Sequence, residues 1–308
     1  MSGTYNLRGV HRFAIATSAC TVLLLMAGAL VTSNDAADSV PDWPLAYGKI
    51  IPPLIGGIRY EFAHRVVAGL VSILTLVLAI WLSRVDTRRW ARRLGWTALG
   101  LVIAQALLGA LRVLKGHPAI TATSHAILAQ LFLITLVSIS LFTSEWWQAE
   151  VPSLDDAGSP ALRSLAAWTT AAILGQLVLG AAFRHGAFGI WPHLVGAGAV
   201  LVMAILTGRA ARKRFAGVPV IRRSVIRLHA TVGTQILLGG AAYWAIAASR
   251  DAAQPGLTYV ILSVAHVLVG AITLVASVLL TLVCRRLIRP AELVVADSTA
   301  VHSEVGTR

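Results

Sequence analysis

The chain has 308 residues, 57% of them hydrophobic and 13% charged, and a net charge of +13. A soluble domain carries about 25% charged residues, so this chain has too few water-facing groups to cover its apolar surface, and an integral membrane protein is the class that remains. The positive charge does not mark a nucleic-acid binder, because the basic residues fall in particular loops and the acidic ones largely elsewhere, which is the sorting that membrane topology imposes.

A bilayer core of about 30 Å needs roughly 20 apolar residues per helix. Eight segments meet that need, at 12–32, 61–82, 94–114, 122–143, 163–183, 191–208, 225–248 and 257–284. The first is followed by no small-residue cleavage site and reads as a retained helix rather than a signal peptide. The second carries Glu61 and His64 near its start and leads into the basic stretch Ser83–Arg93. His125 opens the fourth span, and residues 144–162 after it are acidic and rich in Pro and Ser, as expected of a linker. His193 opens the sixth span, which runs into Arg209, Arg212, Lys213, Arg214, Arg222 and Arg223. His266 lies early in the eighth span, which ends at Arg285, Arg286 and Arg289. Together with Arg8 and Arg12, these basic flanks share one side, which the positive-inside rule makes cytoplasmic. Both termini are then cytoplasmic, and the even-numbered spans run from outside to inside. The only cysteines, Cys20 and Cys284, sit within or at the end of apolar segments, which leaves neither a loop disulfide nor a thiolate metal site.

The chain repeats itself. Gln105-Ala-Leu-Leu-Gly109 recurs as Gln235-Ile-Leu-Leu-Gly239, an offset of 130. Glu61-Phe-Ala-His64 falls opposite Ile190-Trp-Pro-His193, an offset of 129, and His125 matches His266. Gly28 and Gly180 end the first span of each half at an offset of 152, so the first outer loop is 23 residues longer than its counterpart. The expectation is an all-α polytopic membrane protein of eight transmembrane helices, built as two parallel pseudo-symmetric four-helix bundles. Residues 1–143 form the first, 144–162 a cytoplasmic linker, 163–290 the second, and 291–308 a disordered cytoplasmic tail.

His64, His125, His193 and His266 thus share one depth on the second and fourth helices of each half. A single histidine on an apolar helix is more often a hydrogen-bonded packing residue, but ionisable groups in a span are expensive, and four at matched repeat positions favour ligation. With no His-Glu-x-x-His, no Cys cluster and no second Glu-x-x-His, zinc hydrolase and di-iron sites have little support. Two imidazoles from two helices suit haem iron, whose other four positions the porphyrin fills. His11, His117, His185, His229 and His302 lack the pattern and read as structural or surface residues, His185 lying beside the outer site. Glu61 has no repeat counterpart, and at i and i+3 it shares a face with His64. It is either a carboxylate that handles protons or substrate, or a helix-start residue paired with Arg59 or Arg65. Arg65 either meets a haem propionate or snorkels to the interface.

Pro41-Asp42-Trp43-Pro44-Leu45, Tyr47-Gly48 and Pro52-Pro53, leading into Tyr60-Glu61-Phe62-Ala63-His64-Arg65, resemble the first outer loop and second helix of the haem A synthase family. The resemblance covers about residues 10–290. It implies that His64 and His125 ligate the substrate haem O, that His193 and His266 ligate a resident haem b, and that Glu61 is the catalytic carboxylate. The implied reaction oxidises the C8 methyl group of haem O, through hydroxylated intermediates, to the formyl group of haem A for terminal oxidases. It further implies a bacterial-type plasma membrane location. The partners to expect are the lipid bilayer, the haem O synthase that supplies the substrate and an electron donor of unspecified identity. Homo-oligomerisation stays open, and nucleic acid has no part. Many members carry cysteines flanking Pro-Asp-Trp-Pro-Leu. Val40 and Ala46 stand there in this chain, which predicts an outer loop held by Trp43, the prolines and packing alone. A dihaem b-type electron-transfer cytochrome would share the four histidines without needing Glu61, and a repeat-built transporter would explain the symmetry without haem, although transporters concentrate polar groups at the midplane.

Overall fold

The computed structural model describes residues 7–37, 39–115, 119–248 and 254–289. His117, His302 and the tail 291–308 therefore lie outside the described residues. The described chain is helical: α1 (Arg8–Ser33), α2 (Ile58–Val85), α3 (Arg89–Leu114), α4 (Ala119–Phe142), the single turn α5 (Glu145–Gln148), α6 (Leu162–Arg184), α7 (Trp191–Phe215), α8 (Pro219–Ala248) and α9 (Leu257–Leu287). Among the described residues two isolated bridges occur and no strand.

Seven of these helices are long and apolar enough to cross a membrane. Helix α8, at 30 residues, is long enough, but Arg222, Arg223, Arg227, His229 and Thr231 in its first half and Thr234 and Gln235 beyond lower its hydropathy. Several helices also run past the apolar segments that predict them. Helix α7 continues to Phe215 because Arg212, Lys213 and Arg214 are good helix formers and sit in its last turn, where cations meet the negative end of the helix dipole.

Each helix packs on its sequence neighbour. Contacts run α1–α2–α3–α4 and back to α1, and α6–α7–α8–α9 and back to α6, while α1 and α4 meet α6 and α9 between the two groups. Val71, Leu78, Val102, Phe132 and Leu136 fill the first group and Ile173, Val200, Leu228, Val232 and Leu274 the second. Ala29 of α1 seats against Val260 and Val264 of α9 at the seam. Large apolar side chains such as Ile73, Leu107 and Leu237 point outward, while Ala14, Ala79, Ala98, Ala166 and Ala204 are fully or almost fully buried. This inversion of the soluble pattern follows from the solvent. Lipid takes the bulky side chains, and small residues let the backbones approach.

The acidic segment 144–162, expected as a plain linker, is pinned at several points. Ser144 caps α5 by accepting from the Trp147 amide, Leu154 exchanges backbone hydrogen bonds with the end of α9 through Leu287 O and Arg289 N, and Arg286 donates to the carbonyls of Trp147 and Ala149. Asp156 anchors the next helix. Its Oδ2 accepts from the Leu162 amide at 2.6 Å and its Oδ1 from Arg214 Nη1 of α7 at 2.7 Å. The Asp156 side chain is 1% exposed. Removing one partner of a buried pair leaves the other uncompensated, so Asp156→Ala should lower stability in detergent by about 3–5 kcal/mol. Asp155→Ala, in an exposed pair with Arg289, should change it by under about 1 kcal/mol. Unfolding in a graded SDS titration would read both.

Candidate functional site

Helices α2, α4, α7 and α9 begin at the end of the molecule where α1, α3, α6 and α8 finish, and this end holds the four histidines. Each imidazole lies against a glycine of the preceding helix. A methyl group built on Gly28 of α1 would stand 3.1 Å from His64 Cε1, and one on Gly109 of α3 would stand 3.4 Å from His125 Cε1. The corresponding distances are 2.9 Å from Gly180 of α6 to His193 and 3.0 Å from Gly239 of α8 to His266. All four are at or inside the tight edge of van der Waals contact, so each ring occupies space that an ordinary side chain would fill. The glycine contact alone does not set the four apart, because His229 lies still closer against Gly208 of α7. What differs is the ring nitrogen: His11 Nδ1 pairs with the Ser140 carbonyl and His229 Nδ1 with the Val225 carbonyl, each at 2.8 Å, as packing histidines do.

A glutamine stands one turn before three of these glycines. Gln176 Nε2 lies 2.9 Å from the His193 carbonyl and 3.0 Å from its Nδ1. Gln105 Nε2 donates to the His125 carbonyl at 2.9 Å, and Gln235 Nε2 lies 3.2 Å from His266 Nε2. In α1 the same place, four residues before Gly28, is Leu24. Sequence comparison had picked out Gln105 and Gln235 with their glycines and had paired Gly28 with Gly180. It missed Gln176, although Gln-x-x-x-Gly is legible there too.

His193 and His266 face one another with ring centroids 6.3 Å apart and planes at 79°, and Phe183 stacks on His193 at 6.5 Å. Two metal–imidazole bonds of about 2 Å each, added to the distance from each ring centre to its nitrogen, span such a separation. The Nδ1 atoms of His64, His125 and His266 are buried without a well-aligned hydrogen bond, the backbone of Leu24, Gln105 and Gln235 on the preceding helices lying within reach of the three rings. Among the described residues no three His, Cys, Asp or Glu side chains group as metal ligands, so a metal held here takes paired imidazoles and draws its other ligands from elsewhere. A haem fits that donor set.

Glu61 is 5% exposed and lies in a clasp. Its Oε1 accepts from Arg65 Nη2 at 2.6 Å and its Oε2 from the Val40 amide at 3.1 Å. Arg65 also donates to the carbonyls of Asp42 at 2.8 Å, Leu45 at 3.0 Å and Val40 at 3.4 Å. The ion pair with Arg65 is thus formed. Asp42 in turn accepts from the amides of Tyr47 and Gly48, whose φ angles of 54° and 68° turn the chain through the left-handed region. The Gly48 amide foremost holds the Asp42 carboxyl below the usual carboxylate range. Tyr47 reaches back to the Ser39 carbonyl. This corrects the expected loop, since polar bonds hold it, while Trp43 is 43% exposed. Val40 and Ala46 are nearly fully buried. Beside the clasp a cleft of about 470 Å³ opens between Pro44, Ile50 and Ile51 of the loop and Phe62 and Arg65 of α2.

His185, just past α6, is partly buried, within electrostatic reach of His125, Arg112 and Arg184. Burial first, and then the two guanidinium charges, push its pKa down to about 4, so it is neutral at ordinary pH.

Residues 58–284 match the COX15-CtaA family, described as cytochrome oxidase assembly protein. The chain belongs to this family. The matched stretch runs from the first residue of α2 to Cys284 in the last turn of α9 and so holds all four histidines and Glu61. Among individual proteins, a haem A synthase of Halalkalibacterium halodurans is 37% identical over 137 residues, 43% of this chain and 44% of that protein. One from Lysinibacillus sphaericus is 40% identical over 131 residues, 42% of this chain and 41% of its own length. One from Symbiobacterium thermophilum is 30% identical over 188 residues, 58% of this chain and 60% of its own length. The chain spans under half the length of the first two relatives. Seven helices able to cross a bilayer, in a family of this kind, make it a multi-pass membrane protein.

The glycine contacts carry a direct expectation. Gly180→Ala must push His193 aside and should cost about 1–3 kcal/mol by overpacking. Gly175→Ala, on the same helix with open space around it, should be neutral or stabilising by up to about 1 kcal/mol. Thermal unfolding in detergent distinguishes the two. Equal effects would remove the cradle.

Proposed function

We propose that this chain is a haem A synthase, which oxidises the C8 methyl group of haem O to a formyl group. The observation that carries the reading is the pairing of four glycine-cradled imidazoles at one end of a family member's helical bundle. In this reading eight transmembrane helices form two parallel pseudo-symmetric units, residues 1–143 and 163–290, joined by 144–162. His64 and His125 hold the substrate haem O. His193 and His266 hold a resident haem b, which when bound supplies one-electron transfer. The 6.3 Å ring separation of the second pair and its two glutamine contacts support a permanently occupied site, because a hydrogen-bonded partner fixes a ligand ring in place.

The chain's own residues do three things for the reaction. The glycines set the depth and angle of the rings. Helices α1–α4, closed on the lipid side by bulky apolar residues, enclose the reacting methyl group. Glu61, near His64 on α2 and oriented by Arg65 and the Val40 amide, is the one buried carboxylate beside the first pair among the described residues, and it supplies the site's acceptor for protons leaving the carbon. Because Arg65 also holds three loop carbonyls, the carboxylate and the loop position one another. The synthase that supplies haem O, the electron donor and the cytoplasmic placement of both termini belong to the same reading.

His193→Ala or His266→Ala should lose most bound haem b, whereas His64→Ala or His125→Ala should retain much of it and make no haem A. Glu61→Gln should keep haem b and accumulate haem O or a partly oxidised haem, with Ile190→Ala, at the repeat position, leaving the product ratio nearly unchanged. Pigment extraction from cells supplied with haem O reads all six variants. Equal haem b loss from all four histidine variants would overturn the division of sites. Haem b as the sole pigment of the wild-type chain, with no haem A formed, would point instead to a dihaem electron carrier.

Reporter fusions test the orientation. Fusions at residues 87 and 215 should report cytoplasm and those at 45 and 187 the opposite side. A cytoplasmic signal at 45 would invert the topology.

A further inference from the structure

The four cradles are alike in their glycines, but only two of the four carry a cation one turn further on. Arg112 follows Gly109 by three residues on α3, and Arg184 follows Gly180 by four on α6. On a helix these spacings put both arginines on the glycine's face, one turn toward the end of the molecule. The matching places after Gly28 and Gly239 hold Val31 and Thr32, and Ala242 and Tyr243. Each histidine pair therefore has one arginine, on the helix that cradles His125 in the first case and His193 in the second.

The charges reach the sites. Arg112 acts electrostatically on His64, His125, Glu61 and His185, and Arg184 on His266 and His185. Arg184 is partly buried, and its Nη2 donates to Ser33 Oγ at 2.7 Å and to the Ala29 carbonyl at 3.3 Å. Among the described residues it has no carboxylate within ion-pair distance, Asp35 acting on it only from further off. A half-buried guanidinium in a low-dielectric bundle calls for an anion.

We infer that Arg112 and Arg184 are the carboxylate-binding residues of the first and second sites, each pairing with a propionate of the haem held by the neighbouring histidines. The inference rests on the haem reading above. A planar guanidinium matches a carboxylate through two parallel hydrogen bonds and stays charged throughout the accessible pH range. With the carboxylates drawn toward the two arginines, the macrocycle has one favoured orientation. In the first site, this orientation fixes which ring edge is presented to the interior and so makes Arg112 a positioning residue for the oxidised methyl group.

The test uses full-length protein from haem-starved cells, solubilised and titrated with ferric protoporphyrin IX haem or with its dimethyl ester, binding being read from the Soret band. The second site is measured in a His64→Ala background and the first in a His193→Ala background. Chains with both arginines should bind the diacid about tenfold or more tightly than the diester. Arg184→Gln should abolish that preference at the second site, and Arg112→Gln at the first, while diester affinity stays near its starting value. Ser33→Ala removes the shorter of the two contacts with α1 but keeps the charge and should retain the preference, which separates anion binding from that hydrogen bond. Arg112→Lys and Arg184→Lys should restore part of it. An undiminished diacid preference in the Gln variants, or its loss in Ser33→Ala, would overturn the inference and leave the haem reading intact. Failure of the wild-type chain to bind either haem would overturn both.

Discussion

The close approach of helices in pairs, imidazole against glycine, is the constraint from which the rest follows. A ring within about 3 Å of where a Cβ would stand cannot be accommodated by sliding one helix outward, because each helix is also tied to its other neighbours. The cradle therefore fixes the helix spacing, the depth of the ring and its plane together. Between small residues in lipid there is little hydrophobic force to draw helices closer, and shape fit does the work instead. Repeating the contact four times gives a bundle end whose geometry is set by backbone.

Around this frame the polar groups are distributed unevenly. Three cradles add a glutamine, and the first has Leu24. The first pair alone has a buried carboxylate beside it among the described residues, and the second alone has the side-chain amides on both of its histidines. The second pair is thus bordered by amides that hold its rings and the first by a single carboxylate.

Much of this was legible in the sequence, for physical reasons that differ by element. Spans are long, apolar and bounded by charge, so their existence and order could be read directly. Their ends could not be, because helices such as α7 continue through arginines that hydropathy counts as loop. The four histidines stood out because the repeat places them at matched depth. Gln176 and Phe183 escaped notice because their meaning lies in a neighbouring helix, at a distance of 17 residues from Gln176 to its histidine. The loop between α1 and α2 was misjudged for a related reason. Trp43 and the prolines are conspicuous in sequence, whereas its fastening consists of backbone amides and carbonyls gathered by Asp42 and Arg65, and backbone groups have no letter of their own. The segment before α6 hid its anchor similarly, since Asp156 acts on an amide and an arginine far along the chain.

The fastening of the α1–α2 loop converges on a single side chain. One guanidinium joins the carboxylate of Glu61 to carbonyls at residues 40, 42 and 45. Bonds that share a donor do not break one at a time. Rotation of the Arg65 side chain releases all of them at once, and its return re-forms all of them. A covalent bridge would resist opening until an electron donor reached it. This latch depends instead on the charge balance between Arg65 and Glu61, while the bonds of Asp42 to the Tyr47 and Gly48 amides keep the turn itself closed.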